Sequence, residues 1–311
     1  MKTKNMICAL LSMTMLTSLG ETPDLKGIYG PEIKTIGIAA ISSVVPLKRF
    51  AEVTNRLTKA GYKIKVAENV PERTVASPER RARLLESLWM DPEVDLVVFA
   101  YGGKGAGDVV NVLDWDKLKK RDMGVIGFSD LTFLVNTMMV KNIGHPYTGP
   151  VMTTLGYSNK AAVKRMRDMM SGCPADVKLK VVKAGEKSVE GLPMGGLLDR
   201  LHRLTENGTL KDLAGRVIFI ENTNKYAPRT EEMLGYMIEK GVFANAAGVV
   251  ICDFNSKRPK QETEEKLKKF AERIPCPVYS GFPYGHISNT SIIDFRRPLV
   301  ITPEGTLSWK K

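Results

Sequence analysis

Short apolar segments alternate with longer amphipathic segments through residues 35–150, and this alternation constrains the fold more than any other feature. The apolar segments predict strands at Thr35–Ala40, Lys63–Val66, Val94–Ala100 and Gly124–Phe128. The segments between them have apolar residues at helical spacing, which predicts helices at Leu47–Ala60, Pro78–Met90 and Asp130–Asn142. Strands that alternate with helices are typical of a parallel sheet. We therefore predict an N-terminal α/β domain over residues 21–158.

A second domain is predicted from residue 191 to residue 311, after a connecting region at 159–190. The connecting region combines a basic helix, Asn159–Gly172, with a polar segment of strand character, Cys173–Glu190. Beyond it, the pattern predicts strands at Val217–Glu221, Ala247–Asp253 and Val278–Ser280, and helices near Gly195–Glu206, Arg229–Lys240 and Gln261–Arg273. A chain of 311 residues is long enough for two domains with cores of their own.

Ser129 occupies a sharp turn between a predicted strand and a predicted helix. The strand ends at Phe128, and the helical pattern starts at Asp130. Such a turn exposes a hydroxyl at the carboxyl edge of a sheet and places the Asp130 N–H where it can hold an oxyanion. The pattern G-x-S-x-G is incomplete, because residue 131 is leucine. Ser129 is therefore a candidate nucleophile, and the alternative is a serine that caps the helix.

His286 is the best candidate for a general base among three histidines. It follows a strand-like segment and the turn residues Pro283 and Gly285, and loops at strand ends often carry catalytic groups. His145 precedes a proline in a predicted loop, and His202 lies between arginines on a predicted surface helix. A structural role for His286 remains open from the sequence alone.

Glu221 ends an apolar strand and precedes a polar loop. A carboxylate in this position can orient a histidine base, and the alternative is an ordinary surface carboxylate. Serine, glutamate and histidine thus each end a strand-like segment, in the chain order of a nucleophile, an orienting acid and a base.

These segments together resemble the LD-carboxypeptidases of peptidoglycan recycling and the related microcin C self-immunity peptidases. The resemblance extends from about Ile36 to the C-terminus. The similar segments are Thr35–Ala40, Ser77–Ala82, Asp91–Asp95, Tyr101–Gly105, Leu113–Trp115, Ile126–Thr132, Gly149–Pro150, Gly195–Leu197, Phe219–Glu221 and Gly281–His286. Each segment is weak evidence alone, whereas the ordered set is specific.

The resemblance implies a fold and a set of roles. The N-terminal domain would be a parallel sheet similar to flavodoxin and glutamine amidotransferases, and the second would be a swivelling, β-rich α/β domain. Ser129 would be the nucleophile, His286 the base and Glu221 its orienting partner, in a cleft between the domains. The oxyanion hole would combine the Asp130 N–H with an N–H from the Gly102–Gly103 loop.

Five residues depart from the pattern of the family near the expected cleft. They are Tyr101, Lys104, Thr148, Leu197 and Asn222. None of these changes removes the triad, but each can change the substrate. A carboxypeptidase must recognise a free terminal carboxylate, so Lys104 is a candidate substrate-binding residue, with an ordinary solvent-exposed lysine as the alternative.

The resemblance implies hydrolysis of the L,D-amide bond of a murein tetrapeptide, with release of terminal D-alanine. The alternatives are an amidase similar to the microcin peptidases, acting on peptidyl or acyl-sulfamoyl nucleotides, and a non-catalytic homologue that binds muropeptides. We expect no cofactor, because the glycine loop at residues 102–107 does not match a nucleotide-binding motif. We also expect no metal or disulfide framework, because Cys8, Cys173, Cys252 and Cys276 lack ligand spacing.

Charge and the N-terminal segment suggest partners and location. The net charge of +12 comes from dispersed lysines and arginines, so we expect no nucleic acid partner. The partner that the resemblance implies is a peptide derived from peptidoglycan, whose free carboxylates a positive cleft would suit. The sequence allows a homodimer.

Residues 1–20 have two lysines, an uncharged stretch too short to span a membrane, and small residues near Gly20. This order predicts a signal peptide and export to the periplasm; an extra helix of a cytoplasmic enzyme is the alternative.

Overall fold

The computed structural model describes residues 22–223, 227–255 and 260–310. The predicted signal segment lies outside the described residues. The strands are β1 (Thr35–Ala39), β2 (Lys63–Val66), β3 (Leu96–Phe99), β4 (Gly124–Gly127), β5 (His145–Thr148), β6 (Val177–Lys178), β7 (Lys180–Lys183), β8 (Val189–Leu197), β9 (Arg216–Thr223), β10 (Gly248–Asn255), β11 (Val278–Ser280), β12 (Ile293–Asp294), β13 (Leu299–Ile301) and β14 (Thr306–Trp309). The helices are α1 (Leu47–Lys59), α2 (Pro78–Met90), α3 (Ala106–Val112), α4 (Trp115–Leu118), α5 (Thr132–Lys141), α6 (Met152–Leu155), α7 (Lys160–Met170), α8 (Leu198–Glu206), α9 (Ala227–Glu239) and α10 (Lys260–Glu272).

The first sheet confirms the predicted N-terminal α/β architecture. Its strand order is β2-β1-β3-β4-β5-β12, and β1 to β5 are parallel. The order 2-1-3-4-5 is that of flavodoxin-like folds, in which ligands bind near the carboxyl ends of β1 and β3, where the strand order reverses. Every residue of β1 and β3 is buried, because helices cover both faces of a parallel sheet. The loops after these two strands therefore border the expected cleft.

The second sheet is larger and mixed. Its order is β6-β14-β13-β8-β9-β10-β11-β7, with β8, β9, β10 and β11 parallel and the outer strands antiparallel. This sheet agrees with the predicted second, β-rich α/β domain. The strand character predicted for Cys173–Glu190 is also confirmed, because β6, β7 and the start of β8 lie there.

Helix α5 joins the two sheets, and this explains its sequence. Its residues from Thr132 to Met139 are all buried, so it has no solvent-exposed stripe over two turns. The Asn136 side chain donates to the Gly195 carbonyl at 2.8 Å and accepts from the Gly195 N–H at 3.1 Å. The Leu197 N–H donates to the Thr132 hydroxyl at 3.1 Å. The helix that follows the candidate nucleophile is therefore bonded to the backbone of β8.

Three predictions about local structure were wrong. The helix predicted near Gly195 begins at Leu198, because Gly195 and Gly196 have φ of 134° and 135° and continue β8. The predicted loop around His145 is strand β5, and His145 Nε2 is hydrogen-bonded to Asp294 Oδ1 at 2.7 Å. His202 is not a surface residue: its side chain is 15% exposed and its ring centroid lies 5.0 Å from that of Tyr236.

The helix predicted from Asp130 also differs at its start. A single 3₁₀ turn, Ser129–Leu131, precedes α5, which begins at Thr132.

In the described part of the chain, no helix is long and apolar enough to cross a membrane.

Candidate active site

Ser129 lies immediately after β4 in a strained backbone conformation. Its φ is 61°, in the left-handed region that L-residues other than asparagine and aspartate rarely adopt. Gly127, two residues before Ser129, permits this turn. A Cβ at position 127 would lie only 2.7 Å from the Leu131 Cβ and would clash with it. A strained serine between a strand and a helix is typical of a nucleophile elbow, which presents the hydroxyl above the sheet edge.

The structure brings Ser129, His286 and Glu221 together. The Ser129 Oγ lies 3.0 Å from His286 Nε2. On the other side of the ring, Nδ1 lies 3.2 Å from each carboxylate oxygen of Glu221 and is hydrogen-bonded to Oε2. The imidazole is one-third exposed, whereas Glu221 is fully buried. Nucleophile, base and carboxylate thus form a continuous hydrogen-bonded chain from the solvent side to the interior.

Burial determines the electrostatics of Glu221. Removal from water raises the pKa of this carboxyl, and the hydrogen bond and charge of His286 act in the opposite direction. Glu221 Oε1 is buried and has no hydrogen-bond partner among the described residues. The contact with His286 therefore favours the ionised form of Glu221, against the larger effect of burial.

The loop at Gly102 and Gly103 lies against the candidate nucleophile. A Cβ at Gly102 would lie 3.1 Å from the Ser129 Cβ and 3.4 Å from its Oγ. The Gly102 carbonyl accepts from the Ser43 N–H at 3.3 Å, which directs the N–H of the same peptide unit, on Gly103, away from Ser43. Within the described residues, this Gly103 N–H has no acceptor. The predicted oxyanion-hole loop is thus beside Ser129 with an unused donor.

The side chain of Asp130 has a role that the sequence did not indicate. It is 1% exposed, and its Oδ2 accepts from the Ser42 hydroxyl at 2.8 Å and from the Ala106 N–H at 2.9 Å. Its Oδ1 accepts from Arg200 Nε at 2.7 Å. Ser42 and Arg200 were missed, because nothing in their local sequence indicates contacts with a residue 88 or 70 positions away.

Asp253 and Phe128 are two further missed neighbours of the triad. Asp253 is half-buried beneath the backbone that carries His286, and a Cβ on Gly285 would lie 2.8 Å from its Cβ. Burial raises the pKa of Asp253, and the charge of His286 lowers it. The Phe128 ring packs on the His286 ring with a centroid distance of 4.6 Å. These contacts restrict the orientation of the imidazole.

Three of the five departures from the family pattern are integrated into the surrounding packing. The Thr148 hydroxyl is 2.6 Å from the hydroxyl of Tyr284, which is two residues before His286. Asn222 is 4% exposed and donates to the Thr230 hydroxyl at 2.9 Å. Leu197 is buried. These residues therefore shape the walls around the triad.

Lys104 lies on the solvent side of the glycine loop. Its side chain is exposed, and its N–H donates to the Ser43 hydroxyl at 3.0 Å. It lines a basic groove of about 1010 Å³ whose cationic members are Arg81, Lys104, Lys141, Arg200 and Arg203. The members of the triad are not among the residues that line this groove. Tyr101, the remaining departure, is half-buried beside the loop.

Among the described residues, no group of three or more His, Cys, Asp or Glu side chains is placed to hold a metal ion. The cysteines at 173, 252 and 276 are free. Burial raises the pKa of the Cys252 thiol, so this side chain is a poor nucleophile despite its position on β10. The arrangement of groups is suited to serine-based acyl transfer.

Two models of known protein domains match this chain. Residues 36–147 match the model of the LD-carboxypeptidase N-terminal domain, and residues 190–298 match that of the LD-carboxypeptidase C-terminal domain. Together the matched residues cover more than half of the chain. The gap between the two matches, residues 148–189, contains α6 and α7 and also β6 and β7, the outermost strands of the second sheet.

Individual relatives share most of their length with this chain. The "Probable murein peptide carboxypeptidase" of Bacillus subtilis is 25% identical over 85% of this chain and 90% of its own. The microcin C7 self-immunity protein of Escherichia coli is 20% identical over 83% of this chain and 86% of its own length. The crystal structure of muramoyltetrapeptide carboxypeptidase from Oxalobacter formigenes superposes with a TM-score of 0.79 and 21% sequence identity. The superposition covers 88% of this chain and 97% of that chain.

Proposed function

Because the chain belongs to the LD-carboxypeptidase family, we propose that it is a serine carboxypeptidase that releases terminal D-alanine from murein tetrapeptides. The observation that carries this proposal is the hydrogen-bonded chain of the triad. Ser129 Oγ is 3.0 Å from His286 Nε2, and His286 Nδ1 is 3.2 Å from Glu221. These distances are within the range in which a base can accept the proton of a nucleophile.

In the proposed acylation step, Ser129 Oγ attacks the carbonyl carbon of the scissile amide, and its proton passes to His286 Nε2. Glu221 keeps Nδ1 protonated and stabilises the imidazolium that forms. The N–H groups of Asp130 and of the Gly102–Gly103 loop hold the oxyanion of the tetrahedral intermediate. His286 then protonates the amine of the departing D-alanine, which leaves an ester on Ser129.

In the proposed deacylation step, water replaces the amine. His286 accepts a proton from the water as it attacks the ester carbonyl, and the same N–H groups hold the second oxyanion. Collapse of this intermediate returns the proton to Ser129 and releases the tripeptide. Each group is thus used twice, and no metal or cofactor is required for either step.

The name of the Bacillus subtilis relative supports a murein peptide as substrate. A terminal carboxylate must be recognised by cations or N–H donors, and the net charge of +12 favours an anionic peptide over a neutral one. Lys104 is the proposed contact, since it is an exposed cation on the loop beside Ser129. We also propose that nucleic acid is not a partner of this protein. A homodimer is a further proposal.

Two other functions differ from this one in a measurable way. The microcin C7 relative supports an amidase that acts on peptidyl or acyl-sulfamoyl nucleotides. A non-catalytic muropeptide-binding protein would bind tetrapeptide without turnover. Incubation of the protein with murein tetrapeptide and with an aminoacyl sulfamoyl adenosine, followed by mass spectrometry, separates the three functions.

The expected result is conversion of tetrapeptide to tripeptide and free D-alanine, with Ser129→Ala as the inactive control. Cleavage of the sulfamoyl compound alone would favour the amidase. Binding of tetrapeptide without product, together with no labelling of Ser129 by a fluorophosphonate, would favour the binding protein. A fluorophosphonate labels only a serine that a base has activated.

Export is a separate proposal, based on the order of basic, uncharged and small residues in the first 20 positions. The mature chain is expected to begin near Glu21 and to occur in the periplasm. N-terminal sequencing of the native protein checks this, and a chain that starts at Met1 in a cytosolic fraction would contradict it.

A further inference from the structure

An ion pair connects the second domain to the loop beside the candidate nucleophile. Arg200 lies in the first turn of α8, and its side chain is only 11% exposed. Its Nε donates to Asp130 Oδ1 at 2.7 Å, and one terminal nitrogen donates to the Gly103 carbonyl at 3.0 Å. Its other terminal nitrogen pairs with Asp199. The planar guanidinium therefore contacts the residue after the nucleophile and the glycine loop at the same time.

The Gly103–Lys104 peptide unit is held at both ends. Its carbonyl accepts from Arg200, and its N–H donates to the Ser43 hydroxyl at 3.0 Å. The preceding peptide unit is held by the Ser43 N–H, which donates to the Gly102 carbonyl. Since Gly103 has φ of 108° and no side chain, the loop itself provides little resistance to rotation of these peptide units. Their orientation depends on these hydrogen bonds.

Asp130 completes this arrangement from the opposite side. Its carboxylate accepts from the Ser42 hydroxyl, in the loop after β1, and from the Ala106 N–H, at the start of α3. One buried carboxylate thus connects the turn that carries Ser129 to the loop after β1 and to the end of the glycine loop. Arg200 neutralises that carboxylate and fixes the middle of the loop.

From this geometry, we propose that Arg200 is a positioning residue that orients the Gly102–Gly103 donors toward the oxyanion formed at Ser129. This inference rests on the proposed function and adds a residue of the second domain to it. Because an oxyanion is present only in the transition state and the intermediate, loss of the orientation should lower kcat and leave KM nearly unchanged. A residue that only joined the domains would change stability and would not produce this separation.

The test compares Arg200→Lys with Arg203→Lys. Lysine keeps the charge beside Asp130, but its single ammonium nitrogen cannot reproduce the three separate guanidinium nitrogens that bond to Asp130, Asp199 and Gly103. Arg203 is the matched control, because it is one turn further along α8, lies 3.6 Å from the same Asp199 and is 59% exposed. The measurements are kcat and KM on tetrapeptide, the rate constant for labelling of Ser129 by a fluorophosphonate, and the thermal midpoint. In the labelling reaction, Ser129 Oγ forms a bond to phosphorus, fluoride leaves, and the proton passes to His286.

We expect Arg200→Lys to lower kcat and the labelling rate constant about 10-fold to 100-fold, less than the roughly 10²–10³-fold loss that removal of a whole donor causes. KM should change by less than about twofold, because ground-state binding does not use the oxyanion donors. Arg203→Lys should behave as the wild type. Unchanged kcat and labelling in a folded Arg200→Lys protein would overturn the proposal, as would an equal loss in both variants.

A second variant covers failure of Arg200→Lys to fold. The double variant Asp130→Asn/Arg200→Gln removes both charges of the Asp130–Arg200 pair and keeps the backbone N–H of residue 130. Asp199, the other partner of Arg200, keeps Arg203 at 3.6 Å and Arg229 at 3.9 Å. It should be labelled about 10-fold or more slowly than the wild type, because the bond to the Gly103 carbonyl is lost. Labelling at the wild-type rate would overturn the proposal.

The labelling assay also separates this inference from the proposed substrate. A wild-type protein that is labelled at Ser129 but releases no D-alanine contradicts the substrate, while the comparison of labelling rates still decides the role of Arg200. A wild-type protein that is not labelled at all contradicts both.

Discussion

Replacement of Ser129 by alanine and by glycine tests the strain at this position together with its chemistry. Both substitutions remove the hydroxyl and its contact with His286. They differ in their tolerance of φ at 61°. An L-residue in the left-handed region costs about 1–2 kcal/mol relative to the right-handed region. Glycine avoids this cost of the left-handed conformation. However, glycine loses about 0.5–1 kcal/mol more than alanine in backbone entropy on folding.

The difference predicts that Ser129→Gly has a free energy of unfolding higher than that of Ser129→Ala by roughly 0.5–1 kcal/mol. Urea denaturation followed by circular dichroism measures this value. Both variants should lose about three or more decades of kcat, since the triad acts as a unit. A Ser129→Ala protein as stable as Ser129→Gly, or more stable, would refute the interpretation of Ser129 as strained. Near-normal turnover in either folded variant would refute its role as nucleophile.

The remaining predictions concern the acid, the glycine loop and metal ions. Glu221→Gln should lower kcat by about 10²–10⁴-fold, because an amide cannot stabilise the imidazolium. Burial raises the pKa of Glu221 above its usual value, so the contribution of this carboxyl to stability should be lost as the pH rises from about 4.5 through that pKa. Glu221→Gln removes this contribution, so its free energy of unfolding should fall less than that of the wild type over the same pH range. Identical curves of stability against pH would contradict the argument. Lys104→Met should weaken kcat/KM for a tetrapeptide with a free terminal carboxylate by about one to two decades and hardly affect the corresponding amide; equal kinetics with the wild type would leave Lys104 as a solvent-exposed residue. Activity should survive prolonged chelation, whereas loss with recovery on adding zinc would show that His286 is a ligand and not a base.

Four of the six strands of the first sheet were predictable because their sequence signal is local, whereas β5 and β12 were not predicted. A strand buried on both faces is a short apolar run, and the helices between such strands repeat their apolar residues at a different period. Each predicted strand therefore appears within two residues of its observed bounds, as for β3 at Leu96–Phe99. Ser129, Glu221 and His286 were recognisable for the same reason, since each follows or ends a segment of this kind.

The errors have non-local causes. Gly195 was assigned to a helix because the residues after it have helical spacing, but a Cβ there would lie 1.9 Å from the Phe219 carbonyl oxygen. That close approach depends on the pairing of β8 with β9, which the local pattern does not contain. The contact of Arg200 with Asp130 likewise joins positions 70 residues apart. A charged residue in an amphipathic helix gives no local sign of which distant charge it will meet.

The base is held by both sheets, and this affects how the site can respond to movement between them. His286 follows β11 of the second sheet, but the chain returns to the first sheet at β12, seven residues later. Arg165 of α7 donates from Nε to the Ser291 hydroxyl at 2.7 Å and from a terminal nitrogen to the Asn289 side chain at 2.7 Å.

The segment from residue 281 to residue 292 is therefore anchored at one end on β11, which pairs with β10, and at the other on β12, which pairs with β5 of the first sheet. On the opposite side of the nucleophile, Arg200 makes a second connection between the domains. A rotation of one domain against the other would have to break contacts on both sides of Ser129. The distances from Ser129 Oγ to His286 Nε2 and from His286 Nδ1 to Glu221 therefore depend on the contacts that join the two sheets.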